Sequence, residues 1–363
     1  MNPFHDLRAA VLARREELLA SVARVFDRGT YILGPEVRAF EDEFARACGV
    51  AHCIGVGSAT EALQVAFLAL RIGAGDEIVV PALTAAPTAM AVVAVGARPV
   101  FADVDPVHFT MTSDSLRACL TERTRIVVPV HLYGQCADVD ALAAVMKGTG
   151  IPLLEDAAQA HGARDRGRLA GSMGVAAAFS FYPTKNLGAI GDGGALTTND
   201  ATLAERMRRL RTYGLVDGYD VVEPGINARL DELHAAMLRV RLAHLEADNA
   251  QRRAHAARYH GEVTNPRITL PRERDGAHHV WHQFVVRCEQ RDALRAHLAQ
   301  RGIETLIHYP RALSRMTAFE PLMVGRPRPV EAERAVGEIL SLPIYPEMPR
   351  SSQDAVIAAL NAY

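Results

Sequence analysis

Across residues 5–27 the apolar side chains Leu7, Val11, Leu18, Val22 and Val25 fall on one side of a helical wheel, which predicts an amphipathic helix. Gly34-Pro35 interrupts that pattern, and a second helical period covers 35–47. The pattern then changes character. Short, continuous apolar runs at 52–56, 77–80, 99–102, 126–130, 152–154, 176–181 and 194–197 alternate with helical periods, among them 60–70, 88–95 and 139–146. Continuous runs bounded by turn residues suit strands buried on both faces. Their alternation with helices predicts an α/β fold: a mainly parallel seven-stranded sheet with helices on both faces.

Past residue 230 the chain reads differently. An Arg/Ala-rich helical pattern runs from 230 to about 258, followed by strand-like segments at 281–288, a helix at 291–301 and a closing helix at 352–360. This predicts a smaller C-terminal α/β domain. The expected division is a large domain over 31–240 and a small one over 241–363, with the helix in 1–30 packing against the latter.

Composition narrows the classes. With 363 residues, 49% of them apolar, the chain is long enough for two cores. A formal net charge of −2 provides no global field for nucleic acid or an anionic membrane. Arginines crowd 206–211 and 239–253, where helical spacing predicts a solvated or interfacial face. The five cysteines, Cys48, Cys53, Cys119, Cys136 and Cys288, show no metal-binding or paired spacing. Free thiols in a reducing cytoplasm are the simplest account of them. The N-terminus does not read as a signal peptide, and the apolar runs are too short to span a bilayer. No metal site is expected.

In open α/β sheets, ligands sit beyond the carboxyl ends of the strands. Ser58, Thr60, His131, Asp156, Ser180 and Lys185 all fall there. Lys185 follows the aromatic run Phe179-Ser180-Phe181-Tyr182, on a loop that can aim a primary amine into a cleft. A partly desolvated amine can form a Schiff base with a carbonyl. Asp156 ends another buried strand, where a carboxylate can pair with a pyridinium nitrogen, and Gln159 can reach the phenolic oxygen of the same ring. Lysine and aspartate at neighbouring strand ends suit pyridoxal 5′-phosphate. The Gly57-Ser58-Ala59-Thr60 turn opens a helix whose free N–H groups suit a phosphate, and Ser180 can add a hydroxyl. Each residue also has a plain structural alternative: Ser58 and Thr60 as helix caps, Asp156 as a loop cap, Lys185 as a solvated lysine. It is their conjunction that favours a site. The glycine-rich stretch 188–194 runs into a strand, not a helix, so it does not read as a dinucleotide fingerprint.

Pro129-Val-His-Leu-Tyr-Gly-Gln135, Glu155-Asp-Ala-Ala-Gln-Ala-His-Gly162 and Ser180-Phe-Tyr-Pro-Thr-Lys-Asn-Leu-Gly188 together resemble the DegT/StrS-type nucleotide-sugar aminotransferases, fold-type I pyridoxal phosphate enzymes. The resemblance runs from Tyr31-Ile-Leu-Gly-Pro35 to His308-Tyr-Pro310. It implies that Lys185 is the Schiff-base lysine and general acid/base, that Asp156 meets the ring nitrogen and Gln159 the ring oxygen, and that Ser58, Ala59, Thr60 and Ser180 bind phosphate. It further implies that Asn227 reaches the cofactor phosphate of a neighbouring subunit, which makes the protein a homodimer with shared active sites. Tyr182, His308 and Tyr309 are the candidate sugar or diphosphate contacts, with packing at the domain boundary as the alternative.

The implied activity is transfer of an amino group, usually from glutamate, to a keto group of a nucleotide-linked sugar, with a 3-keto dTDP-sugar favoured over a 4-keto one. The alternatives are a lyase or isomerase on the same scaffold, or a non-catalytic regulator that binds the cofactor. Relatives with histidine at the lysine position resemble dehydratases, so Lys185 argues for amino transfer. The chain departs from the family pattern in three places. Ala85 stands where an aromatic usually stacks on the cofactor, Arg311-Ala-Leu-Ser-Arg315 replaces a histidine-bearing segment, and the family's tryptophan in the long helix is replaced near Asp248.

Overall fold

The computed structural model describes residues 2–363. Seven strands make the central sheet: β1 (His52–Val56), β2 (Glu77–Pro81), β3 (Arg98–Ala102), β4 (Thr124–Val127), β5 (Leu154–Asp156), β6 (Ala176–Ser180) and β7 (Gly194–Thr198). Their spatial order is β1-β7-β6-β5-β4-β2-β3. The β5–β4 junction is made by the parallel bridges Val127–Leu153 and Val130–Asp156. All strands run parallel except β7, which is antiparallel to both β1 and β6. The expected sheet is therefore present, with its one reversed strand next to the edge.

Burial explains why the strands read as unbroken apolar runs. Every residue of β2, β6 and β7 is buried, so neither face keeps a polar alternation. β6 opens with three alanines, which lets the helix Pro35–Cys48 come close. Phe44 of that helix meets Phe179 and Phe181 edge-on, with ring centroids 5.0 and 5.3 Å apart.

A second core surrounds the antiparallel pair β8 (Phe284–Arg287) and β9 (Ile339–Leu342), packed by helices Arg291–Gln300 and Arg350–Asn361. A 31-residue helix, Glu232–Glu262, links the two cores: Leu238 lies in the first and Tyr259 in the second. The N-terminal segment reaches the second core, where the Asn2 amide donates to Gly302 O at 2.7 Å and His5 stacks on Tyr345.

Three details differ from the sequence pattern. The single helix expected over 5–27 is two, Leu7–Leu12 and Arg15–Arg28. Arg14 leaves helical geometry at the break and its guanidinium pairs with Asp248 at 2.6 Å, a tertiary contact invisible to periodicity. The strand expected over 281–288 begins only at Phe284, because Trp281 takes a left-handed turn (φ 47°). The arginine-rich stretches are not simply solvated faces. Arg211 is buried in an ion pair with Glu41 and donates to Gly55 O at 2.8 Å, and fully buried Arg252 donates to the carbonyls of Trp281, His282 and Ile344. Helical spacing cannot distinguish an arginine facing water from one facing carbonyl groups.

Candidate active site

The carboxyl ends of β5 and β6 set the site. At the end of β5, the Asp156 amide donates to Pro129 O at 2.9 Å and its carbonyl accepts from the His131 amide at 3.0 Å. One residue earlier, fully buried Glu155 anchors the strand. Its carboxylate accepts from the amides of Gly171, Met173 and Gly174 at 2.7–2.8 Å and from His131 Nε2 at 2.8 Å. The Ala137 amide donates to His131 Nδ1, so Nε2 carries the ring proton. Burial raises the Glu155 carboxyl, and the His131 and backbone hydrogen bonds outweigh it, so the net shift is downward.

Asp156 itself is buried. Its Oδ2 accepts from Thr88 Oγ1 at 2.8 Å and its Oδ1 from the Ala158 amide at 3.2 Å. Burial pushes this carboxyl above its usual range, against the pull of those bonds and of the Lys185 charge.

Beyond β6 the lysine loop is closed by the Phe181 amide donating to Gly193 O, the Ala189 amide to Phe181 O and the Lys185 amide to Tyr182 O, at 2.7–2.9 Å. Lys185 is half-buried by surface area yet closely surrounded by protein. Desolvation lowers its amine from 10.5 to about 8, with Asp156 acting in the opposite sense. The neighbouring histidines are held neutral by burial and then by the Lys185 charge. His308 falls to about 4, and His161 to about 3. Among Lys185, His308 and His161, Lys185 is thus the one group whose charged form lies close to neutral pH.

The other expected residues are placed as follows. Ser58 caps the helix Ala59–Ala69, its Oγ accepting from the Glu61 amide at 3.2 Å. As first residues of that helix, Ala59 and Thr60 keep N–H groups without intrahelical acceptors. Gly194 lets β7 pass beneath this turn, since a Cβ there would lie 2.4 Å from the Ser58 carbonyl carbon. Ser180, at the end of β6, accepts from the Tyr182 amide at 3.3 Å. Gln159 is held between two tyrosines: Oε1 accepts from the Tyr133 amide at 2.7 Å, and Nε2 donates to Tyr309 Oη at 2.9 Å. That bond brings Tyr309 to the cluster. His308 follows through the bond from Tyr133 Oη to its carbonyl, with its ring turned to Ser341 Oγ at 2.9 Å. Tyr182 is exposed. Asn227 is exposed as well, on a backbone bridge to Thr212, and no hydrogen bond of its side chain joins it to the cluster.

Thr88, Tyr133, Asn186 and Asn249 were not candidates in the sequence. Thr88 lies on a helix that reads as ordinary apolar packing, and only the approach of that helix to β5 gives its hydroxyl a partner.

The set fits pyridoxal 5′-phosphate. Asp156 has two donors on a carboxylate that can accept about four, which leaves capacity for a ring N–H. Gln159 Nε2 has a second N–H for a ring oxygen. The Lys185 amine is engaged in no hydrogen bond among the described residues. The free N–H groups at Ala59-Thr60, with the Ser180 hydroxyl, suit a phosphate.

Comparison with known proteins agrees with this chemistry. A family model described as the DegT/DnrJ/EryC1/StrS aminotransferase family matches residues 13–361. The chain is 48% identical over 361 residues to the erythromycin biosynthesis sensory transduction protein EryC1 of Saccharopolyspora erythraea, covering 99% of each chain. It is 47% identical over 365 residues to a dTDP-3-amino-3,4,6-trideoxy-alpha-D-glucose transaminase of Streptomyces venezuelae, covering 99% of this chain and 96% of that one. Among solved structures, S. venezuelae DesV in complex with a ketimine intermediate superposes with a TM-score of 0.95 at 46% identity, covering 99% of this chain and 97% of that one.

Proposed function

This chain belongs to the DegT/DnrJ/EryC1/StrS aminotransferase family, and on that premise we propose that it moves an amino group from glutamate to the 3-keto group of a dTDP-linked sugar, using pyridoxal 5′-phosphate. The observation that carries the reading is the pair at the strand ends: a lysine amine drawn down to about 8, beside a buried aspartate with spare acceptor capacity. A relative 47% identical is named for a 3-amino dTDP-sugar, which favours position 3 over position 4.

When bound, the cofactor supplies an aldehyde and an electron-withdrawing ring. Asp156 accepts from the ring nitrogen and keeps it protonated, with Thr88 and the Ala158 amide fixing the carboxylate. Gln159, clamped between Tyr133 and Tyr309, meets the ring oxygen. Ser58, Ala59, Thr60 and Ser180 hold the phosphate. Lys185 Nζ would take a proton from the donor's α-carbon and return one at the acceptor carbon, acting as general base and then general acid. The neutral histidines leave this proton traffic to Lys185. Tyr182, His308 and Tyr309 line the approach of the sugar nucleotide.

The reading includes a homodimer, with Asn227 reaching the partner's cofactor phosphate, and a cytoplasmic location. It also includes a division into a large domain over 31–240 and a small one over 241–363 with residues 1–30 against it. No helix of the described residues is long and apolar enough to cross a membrane.

The test is spectroscopic. Purified protein loaded with cofactor is expected to be yellow, and glutamate alone to bleach the band. A panel of 3-keto and 4-keto dTDP-sugars then identifies the acceptor. A yellow protein that neither glutamate nor glutamine bleaches would refute amino transfer and favour a lyase, an isomerase or a regulator.

A further inference from the structure

Lys185 and the Asp156–Gln159 loop belong to different segments, yet a single buried side chain of the long helix ties them together. Asn249, with no exposed surface, lies on Glu232–Glu262. Its Nδ2 donates to His161 O at 2.9 Å, at the end of the loop that carries Asp156 and Gln159. Its Oδ1 accepts from Asn186 Nδ2 at 2.8 Å, and Asn186 is the residue after the lysine. Asn186 Nδ2 donates a second bond to Val280 O at 3.0 Å, and its Oδ1 meets His282 Nδ1 at 3.1 Å.

Hydrogen-bond capacity fixes every orientation in this chain. A backbone carbonyl only accepts, so the NH₂ group of Asn249 must face His161, and its oxygen therefore faces Asn186. By the same rule the NH₂ group of Asn186 faces Val280, and its oxygen faces His282. His282 must then donate from Nδ1, as a neutral ring with its proton on that nitrogen. Burial lowers His282 well below 6.5, and the Lys185 charge acts in the same sense. Both NH₂ donors of Asn186 are used, and reversing either amide breaks at least two bonds.

The backbone is shaped to admit the connection. Gly162 has φ 83°, and a Cβ there would lie 2.9 Å from Asn249 Nδ2. Strand-end segments from the other side close on the same point: the Val280 amide donates to Gly134 O at 3.0 Å and the Gln283 amide to Tyr133 O at 3.2 Å, beside the Tyr133 amide that holds Gln159.

Resting on the aminotransferase reading, we infer that Asn249 and Asn186 are positioning residues that set the distance and angle between the Lys185 amine and the Asp156–Gln159 loop. Asn249 bonds to that loop and to the residue after the lysine, and in this structure it touches neither reacting group. The long helix, which continues into the second core, thereby becomes the shared reference for the proton-carrying group and the ring-binding groups. A misplacement of about 1 Å at a reacting group can cost on the order of a hundredfold in rate.

The experiment compares wild type, Asn249→Ala and Asn249→Ser as cofactor-loaded proteins. Asn249→Ser keeps a small hydroxyl and serves if the alanine variant does not fold. The expected result is a fall in kcat of about tenfold to a hundredfold with the glutamate KM little changed. The pH midpoint of the visible band should move by about one unit. Deuterium uptake should rise together in residues 157–163 and 182–188. A folded variant with wild-type kcat, band midpoint and uptake in both loops would overturn the inference. Failure of the aminotransferase reading shows separately, as a wild-type protein with no glutamate-sensitive band. Coupled uptake in the two loops then decides the positioning role on its own: a rise confined to one loop, or to neither, overturns it.

Discussion

Thr88 Oγ1 donates to Asp156 Oδ2 at 2.8 Å, with both side chains buried, and Thr84 Oγ1 lies 3.5 Å from Thr88 Oγ1. A hydrogen bond to a buried carboxylate favours its ionised form, against the desolvation that pushes Asp156 upward. The helix that presents Thr88 begins one residue after Ala85. At this wall of the site a hydroxyl and a carboxylate are in contact, and Ala85 itself has no ring to stack.

Thr88→Val removes the hydroxyl while keeping its volume and branching. We expect a loss of about 1.5–3 kcal/mol in the stabilisation of charged Asp156, read as weaker cofactor retention and lower kcat. Equilibrium dialysis of the cofactor and steady-state rates with glutamate check this. Retention equal to wild type would show that Asp156 does not depend on Thr88.

Lys185 gives a pH signature in the protein freed of cofactor. Its amine lies near 8 when folded and at 10.5 as a free side chain, so the unfolded state binds more protons between those values. Stability should therefore rise as pH increases from about 8 to 10.5. Below 8 the cost of keeping the amine desolvated is fully present. Lys185→Met should remove that rise, which makes the variant relatively more stable at pH 7 than at pH 10. Urea titrations at both pH values measure it, and equal differences at the two would contradict the assignment.

Glu155 acts at the other end of the scale. Its folded value lies below 4.5, so its contribution is present above that pH and is lost as pH falls through the folded value. Glu155→Gln cannot accept on both sides, and one NH₂ group would face amide N–H donors. We expect about 3–5 kcal/mol lost at neutral pH and a shallower acid-unfolding profile below 4.5. Circular dichroism against pH tests both, and an unchanged acid limb would argue that other carboxylates set it.

Asn227→Ala should leave folding intact, because the side chain is exposed and makes no hydrogen bond among the described residues. If it reaches a partner's cofactor, the variant should retain pyridoxal phosphate less well while still dimerising. Sedimentation with simultaneous visible absorbance resolves the two. A monomer that holds the cofactor normally would remove the shared site.

The periodic pattern alone determined the seven strands, the burial of β2, β6 and β7 on both faces, and the placement of Lys185, Asp156 and Ser180 at or just beyond strand ends. These are local properties, because a run of apolar residues must be covered wherever it lies. The motif around Lys185 carried the chemistry for a similar reason: a loop after a buried strand has few places to send an amine. What only the tertiary structure decided were relations between distant segments. Thr88 meets Asp156 across 68 residues of chain, Asn249 meets Asn186 across 63, and Arg14 breaks the first helix to reach Asp248. None of these residues has a distinctive sequence signature. An asparagine or threonine acquires its role only when packing removes water and leaves one partner for each donor and acceptor.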